Sequence, residues 1–126
     1  RRLDVALGII GNPELLFLDE PTTGFDPEAR RSFWSLIQKL RSNGTTILLT
    51  THYLEEAEAL ADRVAVMKNG DLVEIGPTKE VLTKPKEIYT RSLISSVPPT
   101  NKKISNLTFF TLREKEKFNL SQTYLA

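Results

Sequence analysis

At 126 residues the chain has the length of one domain, and a 40% hydrophobic content is enough for a core. Its 17 Lys and Arg against 16 Asp and Glu leave a formal net charge of +1, so nothing suggests global attraction to nucleic acid or anionic lipid. There is no cysteine, which excludes disulfides and thiolate metal sites. The longest apolar runs, Leu15 to Leu18 and Ile47 to Leu49, fall far short of the roughly 20 residues of a membrane helix. No signal peptide is visible. The chain opens on Arg1-Arg2 without an initiator methionine, which predicts a piece of a longer protein.

Leu3, Ala6, Leu7 and Ile10 have helical spacing, and Gly11-Asn12-Pro13 ends that helix. Glu14 to Asp19 is apolar without alternation and predicts a strand buried on both faces. A turn-rich loop follows, then Asp26-Pro27, an N-cap acceptor with proline at the first helical position. Phe33, Leu36, Ile37 and Leu40 form an apolar stripe bordered by Trp34, and Gly44 is a stop. Thr45 to Thr51 is a second strand, β-branched and leucine-rich, with His52 at its end. A helix follows from Leu54 to about Ala61, acidic on one side through Glu55, Glu56 and Glu58. Arg63 to Lys68 and Leu72 to Ile75 are strands joined by Asn69-Gly70, a strong hairpin signal. Pro77-Thr78 opens a short helix through Leu82, and Pro85 opens another that carries Ile88, Leu93 and Ile94.

Three segments are expected: residues 1–84 as the folded domain, 85–99 as a helical extension, and 100–126 as a weakly structured tail. The tail is polar, with one apolar patch at Leu107 to Leu112 that suggests an edge strand or packing segment, and one short helix. Asn106-Leu107-Thr108 matches a glycosylation sequon, set aside for want of a secretory signal. Asp62-Arg63 reads as a surface ion pair or a cap.

Two buried strands separated by a helix imply a right-handed βαβ crossover in a parallel sheet, an α/β fold. In such sheets function gathers beyond the carboxyl ends of the strands. Asp19, Glu20 and His52 all lie at such ends, so three polar groups from separate segments are expected to converge. An isolated Asp-Glu pair is commonly a cap or a solvated turn, and a lone histidine is commonly structural. Here two acids end a fully apolar strand, and successive strand side chains point to opposite faces. One acid is then free to hold a metal shell while the other addresses a water, the division of labour that phosphoryl transfer needs. An imidazole at the same edge can donate a hydrogen bond to a phosphate oxygen.

These residues, in this order, resemble the second half of an ABC-transporter nucleotide-binding domain. "LLFLDEP" resembles its Walker B strand, "TTGFDP" the D-loop, "TILLTTH" the switch-histidine strand and "ADRVAVMKNGDLVEIGP" the hairpin that follows. The resemblance covers about Arg1 to Pro98. It implies a partial P-loop NTPase-like parallel sheet flanked by helices, with a C-terminal β-hairpin and short helices. It implies ATP and Mg²⁺ as cofactors, with Asp19 on the metal through water, Glu20 as general base or water-positioning acid, and His52 on the γ-phosphate. Asp26 would act across a head-to-tail dimer with a second ATPase subunit. Transmembrane permease subunits would be the other partners, at the cytoplasmic face of the membrane, with no nucleic acid. Phe25 stands where the family more often has leucine or another compact apolar residue.

The phosphate-binding loop G-x-x-x-x-G-K-[ST] does not occur in these residues, nor does the family's glutamine loop. The LSGGQ signature would end just before Arg1. The resemblance therefore implies a fragment that is inactive alone. Its subtype markers conflict. "THYLEEAEALADRV" resembles drug and polysaccharide exporters, whereas "VEIGPTKEVLTKPKEIYTRSLISSVP" resembles the C-terminal region of oligopeptide and dipeptide importers, toward which the sequence leans. A non-transport ABC protein, acting in translation or DNA repair, is disfavoured by the near-neutral charge and the lack of long basic insertions. A non-catalytic relic that pairs with another subunit is the third reading, since a half-domain exposes apolar surface and strand edges.

Overall fold

The computed structural model describes residues 2–97 and 109–111. In chain order the elements are α1 (Arg2–Ile9), β1 (Leu15–Asp19), α2 (Pro27–Ser42), β2 (Thr46–Thr51), α3 (Leu54–Leu60), β3 (Arg63–Lys68), β4 (Asp71–Pro77), α4 (Thr78–Thr83), α5 (Ile88–Ser95) and β5 (Phe109–Thr111). The strands form one five-stranded sheet in the order β1-β2-β5-β3-β4. β1 and β2 are parallel, in a register that sets Asp19 opposite Thr50. β3 and β4 form the antiparallel hairpin. The fold is α/β, consistent with part of a P-loop NTPase-like domain.

The local signals act through ordinary physical causes. The Asp26 carboxylate accepts the Ala29 backbone N–H at 2.8 Å and so satisfies one of the free donors at the start of α2. Gly44 takes φ +96°, a left-handed conformation that ends α2 without a Cβ clash. Asn69 and Gly70 both have positive φ, +51° and +86°, as a two-residue hairpin turn of this hand requires.

Two apolar clusters hold the elements together. Leu16 and Leu18 of β1 and Ile47 and Leu49 of β2 pack with Phe33 and Ile37 of α2 and with Leu60 of α3. Ile37 is 1% exposed, a burial that contributes about 1.5 to 3 kcal/mol. Leu54 and Ala57 of α3, Val64 and Val66 of β3, and Val81 of α4 form the second cluster. α3 contributes to both and so joins the two halves of the sheet. α1 lies so close to β1 that a Cβ on Gly8 would stand 3.3 Å from the Leu16 Cδ1 atom.

The structure corrects four expectations. β1 is buried on one face only: Leu16 and Leu18 are inside, whereas Leu15 is 40% and Phe17 67% exposed. The reason is that β1 lies at the end of the strand order and α2 covers a single face of it. Leu36 lies on the rim of the α2 stripe, 39% exposed. Asp62 makes its ion pair with Arg41 of α2, at 2.5 Å. The patch at Leu107 to Leu112 contributes an interior strand rather than an edge: β5 lies antiparallel between β2 and β3. The expected tail helix and the sequon lie outside the described residues.

Candidate functional site

β1 and β2 run parallel, so their carboxyl ends lie side by side. Asp19 is the last residue of β1 and shares the exposed face of the strand with Leu15 and Phe17. Its Oδ1 accepts a short hydrogen bond from the Thr50 hydroxyl. Glu20 follows in a left-handed conformation, φ +42°. Non-glycine residues held there are strained by about 1 kcal/mol or more, and such strain clusters at functional sites. The surrounding contacts hold it in place: the Glu20 N–H donates to the Thr50 carbonyl at 2.9 Å and to the Thr50 hydroxyl oxygen at 3.1 Å.

This backbone turn takes the Glu20 side chain off the strand and toward β2. Its Oε1 lies 3.3 Å from Nδ1 of His52, within reach of a hydrogen bond when that nitrogen carries its proton. The His52 side chain is 15% exposed and that of Glu20 43%. Tyr53 lies against the imidazole, ring centroids 4.3 Å apart, and the Arg30 guanidinium lies 4.1 Å from the Tyr53 ring centroid. A line of contacts therefore runs from Arg30 on α2 through Tyr53 and His52 to Glu20.

Asp19, Glu20 and His52 do come together at one sheet edge. Asp26 is exposed, and its carboxylate is engaged in capping α2. Two participants escape a reading of the sequence. Thr50 bonds to both acids, and its only signal is a hydroxyl residue at the end of an apolar strand. Glu56 is fully buried, although it resembles its solvated neighbours Glu55 and Glu58 in sequence.

Among the described residues no group of three or more His, Asp or Glu side chains is poised to hold a metal. A single exposed carboxylate suits Mg²⁺, which keeps several waters and takes one or two protein carboxylates together with substrate phosphates. Asp19, oriented by Thr50, fits that habit.

The partial α/β sheet, with an acid pair and a histidine at adjacent strand ends, is consistent with part of a P-loop NTPase-like fold. Comparison with known proteins narrows it. Residues 1–56 match the family model "AAA domain, putative AbiEii toxin, Type IV TA system", and residues 73–122 match the model "Oligopeptide/dipeptide transporter, C-terminal region". Over 64% of the chain it is 53% identical to the daunorubicin/doxorubicin resistance ATP-binding protein DrrA of Streptomyces peucetius. Over 98% of the chain it is 37% identical to ABC transporter A family member 10 of Arabidopsis thaliana. Over 66% it is 48% identical to the Nod factor export ATP-binding protein I of Ralstonia nicotianae. Over most of its length the chain is therefore similar to ABC-transporter ATP-binding proteins. It spans 24%, 13% and 26% of the lengths of these three relatives.

Proposed function

We propose that this chain supplies the hydrolytic part of an ATP-binding subunit that powers movement of a solute across a membrane. The observation that carries this reading is the Glu20–His52 contact of 3.3 Å, with Asp19 beside it on Thr50. Asp19 would hold Mg²⁺ through water. Glu20 aligns and deprotonates the water that attacks the γ-phosphate. His52, seated between Glu20 and Tyr53, offers its imidazole to that phosphate. ATP, when bound, brings the reactive anhydride, and Mg²⁺ neutralises charge on its phosphates. The β1–β2 pairing and the Glu20 turn orient all three side chains in advance, which is where catalysis by positioning originates.

These 126 residues contain no G-x-x-x-x-G-K-[ST] loop, so the grip on the phosphates has to come from other polypeptide. We assign Asp26, exposed at the start of α2, to contact with a second ATPase subunit in a head-to-tail dimer. Transmembrane permease subunits are the other partners, and the cytoplasmic face of the membrane is the location. No described helix is long and apolar enough to cross a membrane itself. A fluorescent-ATP titration of the 126-residue chain should show no micromolar binding, and micromolar binding would overturn this division of labour. In the longer protein, co-purification with a membrane permease supports the reading; co-purification with ribosomes or DNA contradicts it.

Two transport types have support. The match of residues 73–122 favours an oligopeptide or dipeptide importer. The drug-resistance and Nod factor relatives favour an exporter. Transport assays in inside-out vesicles separate them, because ATP outside such vesicles drives only an exporter to load cargo into the lumen.

A further inference from the structure

Glu56 lies in the first turn of α3 and is 0% exposed. Its Oε1 accepts two hydrogen bonds, from the Thr22 hydroxyl at 2.8 Å and from the Trp34 indole N–H at 3.0 Å. Its Oε2 is buried with no hydrogen-bond partner. One carboxyl group therefore joins three segments: the turn after β1, helix α2 and helix α3.

Both ends of the Glu20–His52 contact hang from this junction. Thr22 is 0% exposed and stands two residues beyond Glu20. The intervening turn is closed by the Thr23 N–H on the Glu20 carbonyl at 3.3 Å and by the Phe25 N–H on the Thr22 carbonyl at 3.0 Å. Fixing Thr22 therefore fixes the turn in which Glu20 is held left-handed. On the other side, the Glu56 N–H donates to the Tyr53 carbonyl at 3.1 Å, and Tyr53 directly follows His52. A residue present for stability alone would be apolar here, because a buried oxygen without a partner costs about 1 to 3 kcal/mol.

We propose that Glu56 is a positioning residue: its buried carboxyl holds the Glu20 turn against the start of α3 and so sets the distance between Glu20 and His52. This deepens the reading above, since those are the groups to which hydrolysis is assigned. The test reads the contact itself, so its failure is distinct from a failure of the ATPase assignment.

The chain has one histidine and one tryptophan, so the His52 ring and the Trp34 indole N–H each give a single NMR signal. In Glu56→Leu, hydrogen-exchange protection of the Trp34 indole should fall about tenfold, the order of one lost hydrogen bond. The His52 ring signals should move, at fixed pH, in the direction that Glu20→Gln moves them. Glu56→Gln keeps an oxygen acceptor at the junction and should restore both. Should Glu56→Leu fail to fold, Thr22→Val removes one donor without changing shape and is read in the same way. His52 signals that stay at their original positions in Glu56→Leu or Thr22→Val, while Glu20→Gln moves them, overturn the proposal. Failure of Glu56→Gln to restore them overturns it as well.

Discussion

Glu20 and His52, from the ends of neighbouring parallel strands, meet with Oε1 and Nδ1 3.3 Å apart. The contact depends on a backbone feature, the left-handed Glu20, which is stitched to Thr50 by its own N–H. A strand that simply continued would carry residue 20 to the face opposite Asp19. The turn instead sends it sideways to β2.

The cap on α2 makes a prediction about stability. Asp26→Ala removes the acceptor for the Ala29 N–H and should cost about 1 kcal/mol. Urea unfolding of the two chains at neutral pH measures the difference. A loss below a few tenths would mean that water replaces the cap.

The uncovered face of β1 predicts association. Phe17 and Leu15 present apolar surface side by side on one face of an end strand. Sedimentation velocity should show concentration-dependent self-association of the 126-residue chain, and Phe17→Ser should reduce it. A monomer at all concentrations would show that this surface is not adhesive.

Glu74 predicts a pH dependence. Burial pushes its carboxyl up, but hydrogen bonding to the carboxylate, from the Lys86 backbone N–H first and from the Thr90 side chain and the Glu87 backbone N–H next, joins the Lys86 charge to hold it below its ordinary value of 4.5. Those N–H bonds, at 2.9 and 3.1 Å, tie β4 to the segment that enters α5. A carboxyl depressed on folding adds stability that is fully present above its unfolded value and is lost as pH falls through the folded one. The stability gap between the native chain and Glu74→Gln should therefore be steady from neutral pH down toward 4.5 and close below it. Thermal melts across that range check this. A gap independent of pH would show that the carboxylate charge plays no part.

Legibility from sequence tracked how local each determinant was. Asp26-Pro27, Gly44 and Asn69-Gly70 act within a few residues and were all readable. The convergence of Asp19, Glu20 and His52 followed from strand order alone. One-sided burial of β1 was not readable, because it depends on which helices cover the sheet rather than on the apolar run itself. Glu56 was hidden for a similar reason. It sits between two exposed glutamates, and its burial depends on Thr22 and Trp34, which come from segments far away in the chain. Thr50 matters through its register with Asp19, a relation between residues far apart in the chain. The interior place of β5 is likewise tertiary, since nothing in a short apolar patch specifies its neighbours.

The most direct measurement is ATP turnover by Glu20→Gln in the longer, phosphate-loop-bearing protein. If Glu20 deprotonates the attacking water while other groups grip the nucleotide, ATP should stay bound and hydrolysis should fall by about 10²- to 10⁴-fold. Unchanged turnover in that variant would contradict the account at its centre.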